Sequence, residues 1–273
     1  MRVIAEKARV LITVKTTPQP SKKYKDIVCT AGVRLDGDRA TWVRLYPIPF
    51  RYLDTDLQFK KYDVIELEIR RRFEDSRTES FAPDWESMKR VDHYDPWARR
   101  IDAMRTLSET NTCSLRRAAK LDHAAPSLGL GGVADVDKLE FERHPGWSDS
   151  QKAILNRALE EVDLFDDGAP ARKLDSPLLN VSYRYRCTDA KCPGHRGQIL
   201  DWELTALQHK MKGLNEAELR KKIEAKYLDQ MFARGRDTKL FLGNFEAPIK
   251  RQIFSVLGVW WPREAEVEAL PLF

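Results

Sequence analysis

The chain has 273 residues, 42% hydrophobic and 33% charged, which allows one large domain or two ordinary ones with a core that needs no disulfides. No run approaches the ~18 apolar residues of a membrane helix. The N-terminal MRVIAEKARVLITVKT breaks its apolar residues with charges, unlike a signal peptide, and four cysteines make no disulfide framework, so the expected address is the cytoplasm, with no membrane partner. The net charge of +5 is uneven: residues 1–62 carry 13 Lys and Arg against 6 Asp and Glu, residues 108–175 carry 9 against 13, and residues 176–273 carry 16 against 12. Basic ends favour a polyanion partner through phosphate contacts, and nucleic acid is the expected class.

The N-terminal third reads as strands. VLITVKT (10–16) is β-branched and stops at TPQPS. DIVCTAGVRL (26–35) and ATWVRLYPIPF (40–50), joined through DGD, make a hairpin. In YDVIELEIRRRF (62–73), Ile65, Leu67 and Ile69 alternate with Glu66, Glu68 and Arg70, the pattern of a half-buried strand. Several short strands without intervening helices predict a small β-barrel or strongly curved sheet.

In the middle, Asp95-Pro96 opens a predicted helix with Trp97, Ile101 and Met104 on one face. Residues 123–147 look irregular apart from a short strand at KLEFE, and GLGG (129–132) reads as a loop. Ser148 and Gln151 have capping-box spacing ahead of a helix running to about Asp163. The polar DDGAPARKLDSP (166–177) is the expected linker.

Further on, LLNVSYRYRC alternates as a strand that delivers the chain to Cys187. A short helix at WELTALQHKM follows, then a helix capped by Asn215 and Glu218, then two apolar strands, TKLFLGNF and QIFSVLGVWWP. The expected fold class is α+β: a basic barrel-like unit over 1–90, a helical, acidic connecting region over 91–172, and an α+β unit carrying a zinc knuckle over 173–273.

The strongest motif is Cys187-x4-Cys192-x2-His195. Zinc takes four tetrahedral thiolate or imidazole ligands, and the Pro-Gly pair in CPGH turns Cys192 and His195 inward together. His209, 13 residues beyond His195, is the favoured fourth ligand; Asp201, Glu203, Cys29 and Cys113 are alternatives. A structural Zn²⁺ is favoured over a catalytic one.

Asp201 and Glu203 read first as the N-cap and first turn of a helix. A second reading joins them to Asp237-Thr238-Lys239 as a metal-dependent nuclease or hydrolase, with Mg²⁺ held by Asp237 and an upstream carboxylate and Lys239 steadying the attacking water. Lys22, Lys23, Tyr24, Lys25, Arg44 and Arg51, with Arg184 and Arg186 on the later strand, interleave charge with aromatics as nucleic-acid surfaces do. The leading expectation is therefore a nucleic-acid-binding protein with a structural Cys/His zinc site, followed by the nuclease and then by a protein-interaction adaptor.

Overall fold

The structure is a computed structural model that describes residues 4–162 and 173–269. Of the expected linker, residues 166–172 lie outside the described residues, as does the far end of the helix that follows Ser148. The fold is α+β, with a closed five-stranded barrel at the N-terminus.

Five strands form the barrel wall: β1 (Glu6–Lys15), β3 (Lys25–Arg34), β4 (Thr41–Ile48), β5 (Asp63–Arg71) and β6 (Ser80–His93). The short β2 (Gln19–Ser21) edges onto β3. The order β1-β5-β6-β4-β3 closes through β3 pairing back with β1, and only the β4–β6 contact is parallel. Alternation sets the two faces. Val10, Ile12, Val43, Ile65, Leu67 and Ile69 fill the barrel, while Leu11, Val33 and Val64 on the opposite faces join a second core with Met104, Leu130, Phe241 and Trp260. The barrel thus shares buried apolar surface with the rest of the chain, and this burial holds the two units together.

After α1 (Trp97–Met104) comes a second sheet. It is built from β7 (Glu109–Thr110), β8 (Leu128–Arg143), β9 (Leu179–Cys187), β10 (His195–Gln198), β11 (Lys239–Asn244) and β12 (Phe254–Trp260). Their order is β10-β9-β8-β11-β12, with β7 parallel to β8. A bridge between Ile199 and Val256 brings the end of β10 back to β12, so the sheet curls strongly. Around it lie α2 (Thr112–Leu121), α3 (Asp149–Val162), α4 (Trp202–Lys210), α5 (Glu216–Glu224) and α6 (Glu264–Glu268). The two capping boxes read from sequence form: Gln151 and Ser148 exchange backbone-to-side-chain bonds, as do Glu218 and Asn215. Among the described residues no helix is long and apolar enough to cross a membrane.

The middle segment departs from expectation. GLGG is not a loop but the start of β8, the central strand of the second sheet. Its glycines are there for close packing: a Cβ on Gly131 would lie 2.4 Å from a Leu242 methyl, and one on Gly129 2.6 Å from a Thr110 methyl. Segment 91–172 therefore includes the strand about which the C-terminal sheet is organised. It also contains α2, whose first turn carries Cys113.

Candidate metal centre

Three pieces of chain distant in sequence meet at the cluster. Strand β9 alternates Val181, Tyr183 and Tyr185 inward and ends with Cys187 buried. The following loop turns at Asp189, whose carbonyl accepts from the Cys192 amide at 2.9 Å, and at Gly194, whose φ of 92° suits glycine. His195 then opens β10 opposite Tyr185. The third piece is α2, capped by Asn111, whose Oδ1 accepts from the Ser114 amide at 2.9 Å. Thr112 Oγ1 and Tyr185 Oη bond at 2.8 Å, and Arg117 donates to Asp189 at 2.7 Å, so the start of α2 is fastened to both the strand and the loop.

Cys113, Cys187, Cys192 and His195 then offer ligand atoms that all lie within 4.8 Å of one another. All four residues are less than 10% exposed. His195 Nε2 stands 3.4 Å from Cys113 Sγ, and the Cys187 amide donates to Cys192 Sγ at 3.3 Å. A tetrahedral zinc with bonds of roughly 2.0–2.3 Å needs ligand atoms nearly this close, and Cys₃His is one of its usual closed sets. Amides donating to sulfur stabilise thiolates around a bound metal. Burial and the neighbouring Cys187 push the Cys113 thiol up to about 12. At that value the Cys113 thiol keeps its proton on its own, and a bound divalent cation would favour its thiolate. The residues present fit a metal ion.

His209 is not part of this group. It sits in the last turn of α4, in a shallow depression with Thr17, Arg51, Trp202 and Lys212, and the fourth position is taken by Cys113. Spacing favoured His209 because it is close in the chain, whereas Cys113 is 82 residues from His195 and reaches it only through the sheet. The available signals were a cysteine one residue past an Asn-Thr helix start and the absence of any other close cysteine.

The carboxylates of the nuclease reading do not converge. Asp201 is the N-cap of α4, with Oδ1 accepting from the Glu203 amide at 3.0 Å and Oδ2 facing Lys61 Nζ at 3.3 Å. Glu203 stands 4.0 Å from the same lysine. Burial works against the Lys61 ammonium, but Asp201 and Glu203 outweigh it and hold Lys61 above its ordinary value. Asp237 instead accepts from Lys239 Nζ at 2.8 Å, and Lys239 also reaches Glu109. Among the described residues the Cys/His cluster is the sole group of three or more such side chains with ligand atoms this close. The D-x-K tripeptide is an ion pair at the start of β11.

The basic residues divide similarly. Lys22, Lys23, Tyr24 and Lys25 gather at the β2–β3 turn, where Lys23 lies 5.0 Å over the Tyr24 ring, Lys25 lies 5.1 Å over Tyr52, and Tyr24 meets Trp85 edge-on. Arg51 is held by the buried Asp26 at 2.8 Å and by the Lys173 carbonyl. Arg184 pairs with Glu140 at 2.9 Å, beside Arg196 with Glu140 and Glu142. Arg186 is exposed, opposite Asp135 in the ladder. Arg44 is buried between the two units.

Residues 108–273 match the family described as "Domain of unknown function (DUF8757)", and residues 6–106 match "Domain of unknown function (DUF8758)". No curated protein matches the chain. A solved structure titled "Structure of murine DNA binding protein bound with ds DNA" is similar at 10% identity over 94% of both chains, with a TM-score of 0.32, too distant to argue from.

Proposed function

The chain belongs to the DUF8757 family, and we propose that it is a nucleic-acid-binding protein whose Cys113/Cys187/Cys192/His195 site holds a structural zinc. The observation that carries the binding reading is the lysine–aromatic ridge at the β2–β3 turn. Lys22 and Lys23 are exposed, Tyr52 is 38% exposed, and Tyr24, Lys25 and Trp85 are half-buried beside them. Lysines over aromatic rings present charge for phosphates next to flat faces for bases. Elsewhere on the barrel, Arg51 and Arg34 are tied to carboxylates.

The zinc reading rests on closure. Four buried protein ligands leave no open coordination position, and a site without one holds structure together instead of activating water. Here it would clamp α2 to the β9–β10 hairpin.

The test of binding is a salt titration with single- and double-stranded oligonucleotides. Wild type binds at low salt, and log K falls linearly with log[salt]. The Lys22→Glu/Lys23→Glu/Lys25→Glu variant binds more weakly, and its salt slope is shallower by roughly two to three, at about 0.7–0.9 per lost phosphate contact. Absence of binding at low salt, or a triple variant with unchanged slope, refutes the proposal.

A further inference from the structure

Between the barrel and the second sheet lies a cavity of ≈ 450 Å³, within the roughly 300–1,000 Å³ of small-molecule sites. Its lining is of two kinds. One is cationic: Arg44 and Arg77 line it, and Arg72 and Arg251 stand behind Arg77 around Asp75. All four guanidinium side chains are buried, against the buried carboxylates of Asp75 and Glu79, while Glu246 at the edge is 45% exposed. Burial and the Arg77 charge pull Arg251 below its ordinary value, a sign of crowded positive charge.

Arg44 is the least compensated of the four. At 3% exposure it has no ion pair among the described residues; Nη1 meets Cys29 Sγ at 3.2 Å, Nη2 meets Ser127, and Nε has no partner. Asn244, 6% exposed and lining the same cavity, spends its Nδ2 on the Arg251 carbonyl and leaves Oδ1 without a donor. Buried polar groups left this way cost free energy unless water or a ligand completes them.

The rest of the lining includes the apolar Leu200, Leu204 and Leu257 and two amides, Asn180 and Gln198, whose side chains meet only loosely at 3.4 Å. Tyr46 adds a ring to the lining.

We propose that this cavity binds a nucleoside monophosphate unit, its phosphate on Arg44 and its base against the apolar lining with an edge on Asn180 and Gln198. A bare phosphate would leave the apolar lining unused, and an acyl chain would leave the amides unused. The inference deepens the nucleic-acid reading, since the same unit can arrive free or as the terminal or extruded nucleotide of a strand.

Cys29 supplies the readout. It lines the cavity and is partly exposed, whereas the other three cysteines are buried in the cluster. The experiment measures the rate of Cys29 alkylation by iodoacetamide in the full chain, resolved by peptide mass spectrometry. Ligands are AMP, GMP, CMP, UMP, adenosine, inorganic phosphate, and short single strands with and without a 5′-phosphate. At a monophosphate concentration of about ten times Kd, alkylation slows about ten-fold. Adenosine and phosphate protect far less, and Arg44→Gln weakens monophosphate binding roughly ten- to a hundred-fold. Gln198→Leu, elsewhere in the lining, weakens it as well and serves if the Arg44 variant does not fold.

The proposal is overturned if millimolar monophosphates leave the Cys29 rate unchanged, if adenosine protects as well as AMP, or if a folded Arg44→Gln protein binds as tightly as wild type. Protection by monophosphates but not strands identifies the free nucleotide as ligand; protection by strands that needs their 5′-phosphate identifies the chain end. Strands that bind with a salt slope while nothing protects Cys29 sink the cavity proposal and leave the nucleic-acid reading standing. Monophosphate protection without any strand binding does the reverse.

Discussion

Replacing Cys113 by serine tests the metal centre where structure and sequence spacing disagree most. The serine hydroxyl is a poor substitute for a thiolate, so the clamp between α2 and the β9–β10 hairpin is lost. The span from Cys113 to His195 is 82 residues. Closing a loop of that length in the unfolded chain corresponds to about 4.5 kcal/mol in the chain-entropy treatment of cross-links. Apparent zinc affinities in small structural sites, about 10–16 kcal/mol, leave ample free energy for such a constraint. We expect Cys113→Ser to lower unfolding stability by about 4 kcal/mol, read from guanidinium titrations of tryptophan fluorescence. Metal content measured by atomic absorption should fall from one zinc per chain to a small fraction. His209→Ala, a change to a half-buried residue outside the cluster, should stay within about 1 kcal/mol and keep its metal. A chelator should destabilise wild type and His209→Ala strongly and Cys113→Ser little. Cys113→Ser retaining a full zinc and near-wild-type stability, with His209→Ala losing both, would refute the reasoning.

Two further outcomes follow from the charges between the units. Lys15 lies 4.0 Å over the Phe50 ring and 4.6 Å over Trp202, and burial pulls its ammonium down to about 8 despite the attraction of Glu203 and Asp201. The folded pKa is below the unfolded value, so the folded state holds its proton at a cost that is full below pH 8 and gone above about 10.5. Lys15→Met should therefore raise stability by about 2 kcal/mol at pH 7, and the gain should shrink steadily between pH 8 and 10.5; a gain independent of pH across that window contradicts the assignment. Asp201→Ala should lower stability by about 3–5 kcal/mol in denaturant titrations, because it strands the half-buried Lys61 and uncaps α4; a loss under about 1 kcal/mol would show that the pair is not holding the two units.

Much of the local chemistry was legible in the residues themselves. Period-two alternation in YDVIELEIRRRF places Ile65, Leu67 and Ile69 inside the barrel because a strand has only two faces. Capping chemistry at Ser148, Asp201 and Asn215 acts over three residues and needs nothing from the rest of the fold. Cys187, Cys192 and His195 come together for a similar reason: a strand end, a Pro-Gly turn and a strand start bring them close within a short span.

Only the tertiary structure decided the remainder. The alternation of Ser80–His93 is broken by Pro83 and by register shifts against β5, so the strand that closes the barrel carries no clean period. GLGG has low strand propensity, and β8 is a strand because its neighbours leave no room for side chains there. The gathering of Arg44, Arg77 and Asn244 around one cavity, and the arrival of Cys113 at the cluster, are set by which strands pair across both sheets. Spacing in the chain limits only ligands joined by short loops, whereas a ligand on a separate helix is placed by the packing of that helix, which no local pattern encodes.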